Sequence, residues 1–243
     1  MTGMNSFVFA VAAALGNVVG ALAVVQSLRR GLRVIDGFLA FGAGFMLAVA
    51  TLRMLPEVLG APAGGAAAIF VLAGYLSVHV AQHVLTPHFH FGEETHRVTS
   101  SAGVSALCGL MLHTFFDGVA IASGFLVSAE LGILLFLGVL LHKLPEGVTI
   151  ASLIVAGGGS RTRAVAAAAA LGCATILGLL LTEQVRPLAD HGLALAAGVT
   201  LYVAASNLVP EFQAKRGWPT VAAFFGGAAA FMLAERLLAQ WLP

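Results

Sequence analysis

The chain is 243 residues long, 59% hydrophobic and only 9% charged, with a formal net charge of +1. Soluble domains average roughly 25% charged residues, so this composition belongs to an all-α integral membrane protein in contact with the lipid bilayer. A near-neutral chain offers no basic surface for nucleic acid, and it carries no nucleotide-binding motif that would make ATP a partner. Its two isolated cysteines, Cys108 and Cys173, build neither a disulfide framework nor a CxxC pair and read as small core residues.

A helix needs about 20 apolar residues to cross hydrocarbon. Eight segments qualify: 6–28, 35–56, 64–86, 102–126, 130–156, 162–184, 188–211 and 219–242. The first lacks a basic leader and a small-residue cleavage site, so it reads as a retained helix rather than a signal peptide. Near the end of span two, Arg53 and Glu57 lie four apart. They read either as an interfacial i,i+4 pair with Arg53 snorkelling or as an ion-pair gate at an outer vestibule. After span three, loop 87–98 holds His88, His90 and His96 with Glu93 and Glu94, and His79 and His83 precede it. That composition attracts metal ions, although a solvated loop with incidental histidines explains it as well. Arg29, Arg30, Arg33, Arg97, Arg161, Arg163, Lys215 and Arg216 all fall after odd-numbered spans. The positive-inside rule places those loops in the cytoplasm and both termini outside. Asn17, Glu183, Asn207 and Glu211 are single polar residues in or beside spans that read as candidates to line a path, and no motif picks them out.

Spans four and five carry one pattern twice. Leu112–Ser123 and Leu141–Ser152 agree at seven of twelve positions, and Asp117 aligns with Glu146. Each copy offers an imidazole and a carboxylate four residues apart, on one face of a helix. Imidazole and carboxylate are costly in hydrocarbon unless they pair, meet water or bind a cation. Two histidines and two carboxylates from adjacent helices suit Zn²⁺, with Fe²⁺, Mn²⁺ and Co²⁺ as weaker candidates and Cd²⁺ as a softer one. Pro145 has no N–H, so the Leu141 carbonyl loses its helical donor and the turn there is loosened. A second repeat links spans two and seven: Gly44–Glu57 and Gly198–Glu211 align without gaps, match at six of fourteen positions and both end in Pro-Glu. These spans run in opposite directions, which implies three helices, a central pair, then three helices inverted, an arrangement typical of transporters.

On these motifs the chain resembles the ZIP (Zrt/Irt-like) family of divalent-metal transporters. The resemblance rests on His113-Thr-Phe-Phe-Asp117-Gly118 and His142-Lys-Leu-Pro-Glu146-Gly147, supported by Gly42-Ala-Gly-Phe-Met46 and Pro56-Glu57. It implies a metal site formed by His113, Asp117, His142 and Glu146, with Met46 where some members add a thioether ligand. It also implies a homodimer in a plasma or bacterial inner membrane. Zinc would be substrate there, with no organic cofactor and no enzymatic reaction. Many members hold a second metal beside the first; the corresponding places here are Thr114, Lys143 and Thr175, none a carboxylate. The expectation is therefore a single metal at the transport site. The whole chain, 1–243, reads as one transport unit, with the helix pair 102–156 carrying the site. The alternatives left by the residues are an intramembrane zinc metalloenzyme, with Asp117 or Glu146 as base, and a haem protein with axial His113 and His142, which leaves the carboxylates unexplained.

Overall fold

The computed structural model describes residues 2–26, 32–61, 64–85, 100–210 and 217–241. With no water in hydrocarbon, the backbone must satisfy its own hydrogen bonds, and every described element is helical. The helices are α1 (Thr2–Val25), α2 (Leu32–Val49), α3 (Leu55–Gly60), α4 (Gly64–Val80), α5 (Ser100–Val127), α6 (Ala129–Ala156), α7 (Arg161–Gln184), α8 (Arg186–Tyr202) and α9 (Trp218–Trp241). Among the described residues, eight stretches are long and apolar enough to cross a membrane. α2 and α3 form one such stretch, joined by the π-helical turn Ala50–Met54, and α4 and α8 continue into π-helical turns at Ala81–Leu85 and Val203–Leu208. Sequence periodicity foresaw none of these π turns. Each ends two residues before a proline in the sequence, Pro56, Pro87 or Pro210, and a proline's missing N–H leaves the carbonyl one turn earlier without its helical donor.

Two sets of helices are apparent in the packing. α1, α5, α6 and α7 pack on one another, through the pairs α1–α6, α1–α7, α5–α6 and α5–α7. α2 packs on α9 and α4 on α8; the α2–α6 and α5–α8 contacts join these pairs to the first set. α4 and α9 turn most of their surface outward.

Backbone contact within the first set depends on glycine. A Cβ on Gly147 of α6 would collide with the Asn17 carbonyl of α1, and one on Gly20 of α1 with the Leu144 carbonyl of α6. The same relation holds between α5 and α7: Gly118 lies against the Thr175 carbonyl, and Gly178 against that of Phe115.

Two sequence expectations are corrected. Cys108 and Cys173 are exposed rather than core residues, each on the face of its helix turned away from the bundle. Arg53 does not pair with Glu57; its guanidinium reaches Glu130 in the first turn of α6, Nη2 to Oε2 at 3.5 Å. Arg53 lies inside the π-helical turn, where the i,i+4 register of an α-helix no longer holds.

Candidate metal site

α5 and α6 are joined through Ser128 alone, whose extended backbone reverses the chain and whose hydroxyl accepts from the Leu131 N–H at 3.1 Å. His113 lies fifteen residues before Ser128 and His142 fourteen after it. At 1.5 Å per residue, both stand about 22 Å from the turn. Helical side chains lean toward their own N-terminus. Asp117, nearer the turn on α5, therefore leans away from it. Glu146, farther along α6, leans back toward it, and the four side chains converge.

One donor atom from each of His113, Asp117, His142 and Glu146 lies within 4.8 Å of all the others, a group able to hold a metal ion. None of the four is more than 8% exposed. His142 Nδ1 faces the Gly138 carbonyl at 2.9 Å, and a carbonyl can only accept, so Nδ1 carries the proton. Nε2 is then turned to Asp117 Oδ2, 3.2 Å away. A backbone carbonyl that fixes one imidazole nitrogen and leaves the other toward a shared centre is the usual arrangement of a metal-binding histidine. His113 Nε2 lies 3.5 Å from the same carboxylate oxygen, and its Nδ1 is buried with no hydrogen-bond partner.

Lys143 supplies the positive charge in this structure. Its side chain is fully buried. Its ammonium bridges the two carboxylates, 2.6 Å from Asp117 Oδ2 and 2.7 Å from Glu146 Oε2. Thr114 Oγ1 donates to the other Glu146 oxygen at 2.5 Å. Two of the three residues expected at second-site positions, Thr114 and Lys143, thus enter the cluster as donors. The third, Thr175, is fully buried on α7, but its hydroxyl bonds back to the Leu171 carbonyl of its own helix at 3.5 Å.

Met46 is 1% exposed and packs in an apolar cluster with Val78, Val199 and Tyr202, with Phe116 against it. His88, His90 and His96 lie outside the described residues. The residue that motif reading did not assign to the site is Asn17. It is fully buried on α1, with its amide 2.6 Å from the Lys143 carbonyl and 3.3 Å from Glu146 Oε2; both are acceptors, so the amide nitrogen is assigned to that side, where it donates to both. Its signal in the sequence is faint: Asn17-x-x-Gly20 on α1 stands to α6 as Thr175-x-x-Gly178 on α7 stands to α5.

A bundle of eight membrane-length helices, with nitrogen and oxygen donors buried where two of them meet, defines a multi-pass membrane protein with a candidate intramembrane metal site. The family model for the ZIP zinc transporters matches residues 92–235, more than half of the chain, and the chain belongs to that family. Divalent metal transport is the activity that membership brings, rather than an enzymatic reaction. Comparison with the curated proteins finds no match.

Proposed function

We propose that this protein moves divalent metal ions, zinc foremost, from outside or periplasm toward the cytoplasm, through a site formed by His113, Asp117, His142 and Glu146. The observation that carries this is the convergence of those four buried side chains to within 4.8 Å. Borderline Zn²⁺ suits mixed imidazole and carboxylate donors; Cd²⁺, Fe²⁺, Mn²⁺ and Co²⁺ are secondary candidates. The ion would shed its water, take the two imidazoles and two carboxylates in exchange, and leave inward. One metal occupies the site at a time, because Lys143 stands where a second-site ligand would be and already bridges both carboxylates. Met46 is a secondary ligand candidate, one that would have to draw its sulfur out of the apolar cluster it now fills. His88, His90 and His96 are proposed as a capture point in the cytoplasmic loop.

The finer architecture belongs to the same proposal: one transport unit over residues 1–243, a 3+2+3 inverted repeat with both termini outside, and a homodimer in the plasma or bacterial inner membrane. Four reciprocal backbone contacts support the repeat. Gly147 against Asn17 and Gly20 against Leu144 on one side correspond to Gly118 against Thr175 and Gly178 against Phe115 on the other. The flanking helices agree: Gly74 of α4 lies against the Leu195 carbonyl of α8, as Gly227 of α9 lies against that of Phe41 in α2. The π turns Ala50–Met54 and Val203–Leu208 occupy matching places in the aligned segments Gly44–Glu57 and Gly198–Glu211, which adds a third correspondence. The test is uptake into proteoliposomes with a panel of ions. Zinc entry in wild type and its loss in His113→Ala supports the reading; uptake at the wild-type rate in a folded His113→Ala protein overturns it.

A further inference from the structure

Asn17 brings a third helix into the cluster, and its contacts single out one carboxylate. Both groups within reach of its amide nitrogen are acceptors: the Lys143 carbonyl at 2.6 Å and Glu146 Oε2 at 3.3 Å. An amide nitrogen has two N–H donors, so it serves both. The position is enforced by the backbone, since Gly147 and Gly20 let α1 and α6 touch at this level. The bond to the Lys143 carbonyl anchors the amide, and its second N–H is thereby aimed at Glu146.

The partners of Glu146 differ in kind. Lys143 cancels its charge, whereas Thr114 and Asn17 are neutral donors that orient the carboxylate and leave it anionic. A dication arriving at the cluster repels the ammonium, so the contact with Lys143 must weaken as metal binds. The two neutral bonds need not. Asp117 shows no such support among the described residues: the groups facing its Oδ2 there are the ammonium and the two imidazoles. The counterpart position on α7, Thr175, turns its hydroxyl to its own helix.

We propose that Asn17 is a positioning residue of the metal site, holding Glu146 in its ligating orientation from α1. The proposal rests on the assignment of metal binding to His113, Asp117, His142 and Glu146. Loss of a partner that orients a ligand typically lowers metal affinity about 10–100-fold. The loss should depend on the metal, because Mn²⁺ relies on oxygen ligands and softer Cd²⁺ more on the imidazoles.

The experiment measures dissociation constants of the purified full-length protein in detergent for Zn²⁺, Mn²⁺ and Cd²⁺, by competition with a chromophoric chelator. In Asn17→Ala, Mn²⁺ and Zn²⁺ should bind about tenfold more weakly, and Cd²⁺ less than about threefold more weakly. Equal losses for all three ions would mean general loosening of the bundle and would overturn the proposal, as would no loss for any. Asn17→Leu retains the branch at Cγ and removes both donors, and carries the same expectation. If neither variant folds while His113→Ala does, Asn17 is a packing residue and the proposal fails. If His113→Ala binds zinc like wild type, the transport site itself is misassigned. If His113→Ala loses zinc while the Asn17 variants bind all three ions normally, only the role of Asn17 is wrong.

Discussion

Removing the Lys143 ammonium should make the protein's stability depend on metal. The ammonium lies 2.6 Å from Asp117 and 2.7 Å from Glu146. At an effective dielectric of about 20, each contact represents about 6 kcal/mol of Coulomb attraction. Much of that is offset by the cost of dehydrating three charges. The quantity an experiment reads is the cost of truncation, typically about 3–5 kcal/mol when one partner of a buried ion pair is removed, because the charges left behind are uncompensated. For a chain of this size, Lys143→Ala should therefore melt on the order of 10 °C below wild type in the presence of chelator. A bound dication restores the compensation, so saturating zinc should raise the melting temperature of Lys143→Ala more than that of wild type. Thermal unfolding of detergent-purified protein, with chelator and with zinc, measures both. Equal melting temperatures in chelator and equal zinc increments would refute the reasoning. The same charges bear on stoichiometry. Asp117, Glu146 and Lys143 together carry −1 when ionised; one Zn²⁺ brings the cluster to +1 and a second to +3. In Lys143→Asp the corresponding values are −3, −1 and +1, which admits a second ion. Anomalous scattering at the zinc edge should show one peak in wild type and two, about 4 Å apart, in Lys143→Asp. Two well-occupied peaks in wild type would end the single-metal argument.

Three further outcomes are expected. His113→Ala and Glu146→Ala should each nearly abolish zinc uptake in proteoliposomes while the protein still elutes as a folded species; retention of more than about a tenth of the wild-type rate would separate the cluster from transport. Gly147→Ala places a methyl group on the Asn17 carbonyl and should destabilise by about 1–3 kcal/mol, read as a lower melting temperature together with weaker zinc binding; an unchanged melting temperature would mean that α1 and α6 are not in backbone contact. Finally, Lys143→Thr combined with Thr114→Lys moves the ammonium to the matching position of the repeat, three residues before Asp117. The double variant should recover most of the stability lost in Lys143→Thr alone, and no recovery would count against the two-fold relation between α5 and α6.

The sequence made the spans legible because hydrocarbon imposes one rule on all of them, a run of about 20 apolar residues. It made His113, Asp117, His142 and Glu146 legible because their spacing is helical and occurs twice. Cys108 and Cys173 were misread for the converse reason: their helices are apolar all round, and such a pattern does not say which face is inward. Arg53 was misread because a partner four residues away is the right guess only in an α-helix, and the turn it occupies is π-helical. Asn17 stayed hidden because its contact with Glu146 arises from a helix crossing. That crossing needs Gly20 and Gly147 on different helices, and no local window contains both.

The proposed repeat supplies two histidine–carboxylate pairs, and their surroundings differ in a way that would suit a site that must release its cargo. In the proposed repeat, Thr114 corresponds to Lys143 and Thr175 to Asn17. Glu146 is held by a hydroxyl, an amide and an ammonium, whereas Asp117 is held by the ammonium, with the Nε2 atoms of the two imidazoles turned toward the same oxygen. When a dication displaces the ammonium, Glu146 keeps two neutral donors and therefore its orientation. Asp117 loses its closest partner and must rely on the ion. On the proposed assignment, one half of the site would be preorganised and the other remade with each ion. A transport site needs attraction strong enough to strip water from the metal and weak enough to let it go. A tethered ammonium within bonding reach of both carboxylates meets the second condition, because it competes for the same oxygens at a high effective concentration whenever the metal moves off.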